Sequence, residues 1–195
     1  MKYFLFVVVV ICSMAACNSN YTPKPKGYFQ LQFPEKQYQS FNEAGYPYSF
    51  EYPKYASIEK DSLFFGEKAE NEWWINVVFP SFSGRLHISY KQIGPKNQFD
   101  SLLRDSYELT QKHTQKAYAI EDSMITTANG IEGMFFKVQG DVATETQFFL
   151  TDSTRHFLRG ALYFEATPNQ DSLQPVQQFI VQDVKHLIQT FRWKN

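Results

Sequence analysis

Five consecutive residues, Asp152-Ser153-Thr154-Arg155-His156, contain every side chain of a Ser-His-Asp hydrolase. That chemistry needs a serine whose proton passes to a histidine oriented by a carboxylate. Its members normally come from separate elements, with the serine on a strained turn such as Gly-x-Ser-x-Gly. The run has neither feature. A hairpin turn in which Asp152 and Ser153 bond back to the main chain accounts for the same residues. Zinc chemistry has no better footing, because His87, His113, His156 and His186 lack the i, i+4 spacing with an acidic partner that a zinc-binding helix presents. No metal and no other cofactor is expected.

The residue with the most definite chemistry is Cys17. Lys2 supplies a positive start, Tyr3 to Ile11 an apolar run too short to span a bilayer, and Met14-Ala15-Ala16-Cys17 a small-residue cleavage site ending in cysteine. This pattern reads as a bacterial lipoprotein signal over residues 1–16, with Cys17 as the lipid acceptor. Cys12 competes poorly, since Ile11 before it is too bulky for the cleavage pocket. At roughly 0.8 kcal/mol per buried methylene, two or three acyl chains anchor a protein almost irreversibly. An ordinary secretory signal cut near Ala16 is the alternative. No cysteine follows Cys17, so no disulfide forms and the exported domain rests on its hydrophobic core. Residues 17–27, which include Pro23-Lys24-Pro25-Lys26-Gly27, read as an extended tether of about 3 Å per residue.

Residues 28–195 are expected to form one domain, since 43% hydrophobic and 17% aromatic residues suffice for a single core. A formal net charge of -1 without basic runs argues against nucleic acid as a partner, and against a polybasic membrane patch. Alternating apolar residues predict strands at Phe29–Phe33, Tyr48–Pro53, Trp73–Phe79 and Arg85–Tyr90, the last two joined by a turn at Pro80–Gly84. Helical spacing of Phe99, Leu102, Leu103 and Leu109 predicts a helix from Gln98 to about Lys116, capped by Asn97. Strands resume at Ala117–Thr126, Ile131–Gln139, Thr144–Thr151 and His156–Ala166. A last helix runs from Pro175 to Arg192, with Ile180, Val184, Leu187 and Phe191 on its apolar stripe. The order implies an α+β fold, an antiparallel sheet with helices packed on it.

Two groups of residues are candidates for protein contact. Lys112-His113-Thr114-Gln115-Lys116 ends the middle helix, where each cation favours the dipole by about 0.3 to 1 kcal/mol and where a basic patch would meet a partner. Trp73 and Trp74 on a strand point to opposite faces, so one is exposed unless both faces are covered. An exposed tryptophan marks a protein interface or a glycan platform. With the Asp152, Ser153 and Thr154 turn, the candidate contact residues are Trp73, Trp74, Lys112, His113, Lys116, Asp152, Ser153 and Thr154.

Tyr48-Ser49-Phe50-Glu51-Tyr52-Pro53, the Phe99 to Leu103 helix start and Ile188-Gln189-Thr190-Phe191 resemble the PsbP-like family of exported αβα sandwiches. A closer resemblance runs through most of the mature chain. Lys112-His113-Thr114, Gln147-Phe148-Phe149-Leu150-Thr151-Asp152-Ser153-Thr154, Gly160-Ala161-Leu162-Tyr163-Phe164, Pro168-Asn169 and Pro23-Lys24-Pro25-Lys26-Gly27-Tyr28 look like the GldD gliding motility lipoproteins. The resemblance implies a Bacteroidetes cell-envelope lipoprotein, acylated on Cys17 with chains such as palmitate and needed for gliding motility and the linked type IX secretion apparatus. It implies motility and secretion proteins as partners and no known reaction. We therefore expect a non-enzymatic assembly component anchored to a membrane and facing the periplasm. The alternative is a periplasmic ligand-binding module or a hydrolase of envelope polymers, for which 20 acidic residues offer carboxylate pairs.

Overall fold

The computed structural model describes residues 32–61, 63–64, 67–112, 116–165 and 170–194. The signal sequence, Cys17, the tether, Phe29, Leu31 and His113 lie outside the described residues. In chain order the elements are β1 (Tyr38–Phe41), β2 (Tyr48–Pro53), β3 (Ser57–Lys60), β4 (Leu63–Phe64), β5 (Glu67–Lys68), β6 (Ile75–Phe79), β7 (Gly84–Gln92), α1 (Phe99–Gln111), β8 (Ala117–Thr126), β9 (Glu132–Gly140), β10 (Thr146–Thr151), β11 (His156–Phe164), α2 (Gln170–Thr190) and β12 (Arg192–Trp193). Seven strands make an antiparallel sheet in the order β3-β6-β7-β11-β10-β9-β8. A smaller sheet has the order β1-β2-β12, and β4 and β5 pair as a short ribbon. The fold is α+β.

The burial of β10 on both faces shows how the layers stack, for all of its residues are buried. Phe148 and Leu150 join Leu86, Ile88 and Tyr90 of β7, Leu158 and Leu162 of β11, and Ile180, Val184 and Leu187 of α2 in the main core. Tyr48 and Phe50 of β2 close that core from the small sheet. On the other face Phe149 stacks on Phe157, and both pack with Phe136 and Leu102 of α1. Two apolar layers thus sandwich the middle of the sheet. Gly160 permits this packing, since a Cβ there would lie 2.3 Å from the Phe148 ring. Gly130, with φ 72°, supplies the left-handed residue of the Asn129-Gly130 turn between β8 and β9.

Several local expectations change. Residues 32–37 form no strand, and Phe33 instead stacks on Phe179 of α2 at 4.4 Å. The strand begins at Ile75, so Trp73 and Trp74 lie in the turn before it. The Asn97 side chain caps nothing. It donates to Glu70 Oε1 at 3.0 Å and to the Gln92 carbonyl at 3.3 Å, and Gln98 opens α1 without a side-chain cap. Helix α1 ends at Gln111, and Leu109 is exposed while Ser106 and Thr110 are buried against the sheet, each hydroxyl donating to a carbonyl one turn back. Pro175 lies inside α2 rather than at its first turn, because the helix already starts at Gln170.

The rotation of α2 is fixed by a buried carboxylate. Asp183 is 1% exposed, and its Oδ1 accepts from Lys36 Nζ at 2.6 Å and from the Tyr38 hydroxyl at 2.9 Å, while Oδ2 accepts from the Tyr55 hydroxyl. Lys36 also donates to the Phe179 carbonyl at 2.9 Å and sits 3.8 Å from the centre of its ring. One turn on, His186 stacks on Tyr38 at 3.6 Å and meets Glu51 Oε2 at 2.7 Å. Burial and the bond to Asp183 push the Tyr38 hydroxyl up to about 12, so it stays a donor. Removing the carboxylate leaves an ammonium and two hydroxyls without their acceptor. Asp183→Ala is expected to lose about 3 kcal/mol of unfolding free energy by urea titration. A loss under about 0.5 kcal/mol, the range of ordinary surface substitutions, would show that the cluster does not hold the helix.

Candidate functional site

The candidate residues from the sequence fall into two groups at opposite ends of β10. Trp73 and the Asp152–Thr154 turn share one end. Trp73 packs edge-on to Tyr90 at 5.4 Å, the Tyr90 hydroxyl meets His156 Nδ1 at 2.6 Å, and His156 stacks on Trp193 at 4.9 Å. Lys112 and Lys116 lie at the other end. Thr110 just before Lys112 donates to Gln147 Oε1 at 3.3 Å beside the start of β10, and Lys116 precedes the Ala117 that pairs with Gly140. They share no surface with the turn.

Neither tryptophan is an exposed platform. Both are half-buried, the Trp73 indole N–H donating to the Gly45 carbonyl and that of Trp74 to the Tyr90 carbonyl, each at 2.8 Å. They brace the turn that starts β6. The Asp152 run is the hairpin turn its composition suggests. Asp152 Oδ1 accepts the backbone N–H groups of Thr154, Arg155 and His156 at 3.0, 2.8 and 2.8 Å. Ser153 takes part through its main chain, its N–H donating to Thr151 Oγ1 at 2.8 Å with φ at 60°. The acid is thus committed to the turn, and the histidine to Tyr90.

The electrostatics follow from these contacts. Burial raises the Asp152 carboxyl, but the three N–H donors outweigh it and hold the group below its ordinary value. Burial lowers His156 against the opposing pull of Asp152, and burial pushes Tyr90 up to about 12. A protonated Tyr90 therefore shares its hydrogen bond with a neutral imidazole. A second acid-histidine pair was not singled out by the sequence. His87 Nδ1 lies 3.4 Å from Oδ2 of buried Asp61, and burial lowers this histidine too, with Asp61 opposing. Asp61 follows the end of β3 and His87 lies on β7, and no local pattern announces their meeting.

Two adjoining clefts lie between α2 and the β8–β9 hairpin. One of about 430 Å³ runs beneath the Glu121–Thr127 stretch, floored by Phe135 and Ile188 and walled by Lys185 and Gln189. The other, of about 460 Å³, is bounded by Tyr118, Gln139, Glu145, Gln177 and Gln182. They share Phe135, Lys137 and Lys185. Burial raises the Glu145 carboxyl against the Gln177 amide that lowers it. At the rim, Met124 is 83% exposed and Tyr118 70%. Among the described residues no cluster of three His, Cys, Asp or Glu side chains could hold a metal ion, and no helix is long and apolar enough to cross a membrane.

The family model described as "Gliding motility lipoprotein GldD" matches residues 18–193. No curated protein matches the chain. Among solved structures, the chain is similar to the solution structure of cyanobacterial PsbP (CyanoP) from Synechocystis sp. PCC 6803, at 11% identity and a TM-score of 0.45. The similarity covers 83% of this chain and 95% of that one.

The histidines set an acid limb to stability. His156 and His87 titrate lower in the folded chain than their ordinary 6.5, so below that pH the unfolded chain binds more protons. Their contribution is complete above pH 6.5 and is lost as pH falls through the folded values. Asp152 acts in a separate window, below its ordinary 3.8. In His156→Gln, unfolding free energy followed by urea titration should fall less between about pH 6.5 and 5 than in the wild type. An unchanged slope would place the acid sensitivity elsewhere.

Proposed function

The chain belongs to the gliding motility lipoprotein GldD family, and on that premise we propose that it is a lipid-anchored cell-envelope component serving gliding motility and the associated type IX secretion through protein contacts, without catalysis. In this reading residues 1–16 are a lipoprotein signal, Cys17 carries the lipid, residues 17–27 are the tether, and residues 28–195 form one periplasmic domain. Its partners are other motility and secretion proteins of the envelope.

The observation that carries the contact reading is the fastening of Lys36 and Tyr38 to Asp183 on one flank of α2. Phe179 and Asp183 occupy that flank, whereas Gln178, Gln182 and Lys185 line the clefts on another. The first described residues are thus tied down on a different flank of α2 from the one beside the β8 rim. Confinement near a membrane raises effective concentration toward partners there, into about the millimolar range for short tethers. Modest contact surfaces then suffice.

The test is a Cys17→Ala chain exported behind an ordinary secretory signal as the sole copy. Colony spreading and secretion of type IX cargo should both be lost, with periplasmic protein level and fold unchanged. Spreading at the wild-type rate would contradict an anchored role.

A further inference from the structure

Strand β8 is the long edge of the main sheet. Its ten residues pair with β9 on one side, and no described strand pairs with the other. Such an edge offers a row of backbone N–H and C=O groups to any extended chain, and proteins commonly shield it with charge, bulges or a covering element. Here a bulge at Ala117/Ala119 protects only the start. From Ile120 to Thr126 the ladder to β9 is regular, and the stretch Glu121–Thr126 rims the 430 Å³ cleft.

We propose that the outer edge of β8 accepts an extended, mainly apolar segment of another envelope protein by strand addition, with a basic residue of that segment opposite Asp122. The proposal rests on the protein-contact reading above and assigns its surface. Three observations fix the occupant. Alternate side chains of an added strand on the α2 side would drop into the cleft floored by Phe135 and Ile188, which supplies apolar specificity beside the main-chain bonds. On the opposite side, shared with Met134, Met124 is 83% exposed and would be covered. Charge then selects between a partner and a second copy. Glu121 is answered by Lys137 at 3.9 Å, but Asp122 has no ion pair among the described residues. In a symmetric antiparallel pairing of two β8 strands centred on the middle of the strand, at Glu121 or Asp122, that carboxylate would face its own counterpart in the other copy, and like charges directly opposite are unfavourable. A basic side chain there is favoured instead.

The experiment is photo-crosslinking in cells of the full lipidated chain, with a benzophenone amino acid placed in turn at Ile120, Asp122, Ser123 and Met124, at Ser57 on the opposite edge strand, and at Lys116 and Thr154 off the β8 edge. Adducts mapped by mass spectrometry should advance residue by residue along one segment of one partner, be absent from Ser57, and fall at least fivefold on Asp122→Lys when Met124 carries the probe. Adducts to β8 of a second copy, to residues 18–31 of the same chain, or scattered over a partner would overturn the proposal. So would adducts at Thr154 or Lys116 with none along β8, an outcome that leaves the contact reading standing. No adduct at any of these positions, with the protein folded and lipidated, would remove both.

Discussion

The packing of α2 depends on the Asp183 carboxylate. A buried charge is tolerated only when its attraction and hydrogen bonds offset the loss of water, and here one ammonium and two hydroxyls do so. The donors come from the first described segment, from β1 and from the turn after β2. The carboxylate therefore holds two separate stretches, residues 36–38 and the turn at Tyr55, against α2. Once that flank is fixed, helical geometry turns Ile180, Val184 and Leu187 onto the sheet and leaves Lys185 and Gln182 beside the β8–β9 hairpin.

Width explains why an opening exists at all. Strands lie about 4.8 Å apart, so seven span about 29 Å, whereas a helix covers about 10 Å. On one face α2 and the small sheet cover β6, β7, β11 and β10. On the other α1 covers Phe136, Phe149 and Phe157. The outer part of the β8–β9 hairpin is left over. Its exposed residues therefore follow from the layer geometry and need no local loss of packing, and the same geometry makes β8 an accessible edge.

Periodicity made most of the strands legible, because a half-covered strand must alternate and a helix stripe must recur at 3.6. The strands from β7 to β11 and the stripe of α2 fall close to where the pattern puts them. The failures have physical causes. Trp73 and Trp74 look like the start of a strand because apolar character continues through them, yet they precede β6, their indole N–H groups donating to the Gly45 and Tyr90 carbonyls. Ser106 and Thr110 hide their burial, since each hydroxyl is satisfied within its own helix. Strands β1 and β3 carry no clear alternation; β1 is fastened through Tyr38 to Asp183 and β3 pairs with β6 across the β4–β5 ribbon, contacts distant in sequence like the Asp61–His87 pair. The clefts were least legible. A gap between α2 and β8–β9 depends on how wide the sheet is relative to what covers it, and no single residue records that.

Family membership over residues 18–193 ties the chain to gliding motility lipoproteins, and the structure supplies a domain fastened at one flank with an open strand edge elsewhere. In the proposed function the anchored domain works by touching other components. That contact is tested most directly by crosslinking the affinity-tagged lipoprotein in its native membrane and identifying what is recovered by mass spectrometry, with the Cys17→Ala form as control. Motility or secretion components should be recovered from the lipidated form and lost from the control. Absence of such components from protein shown to be folded and lipidated would contradict it.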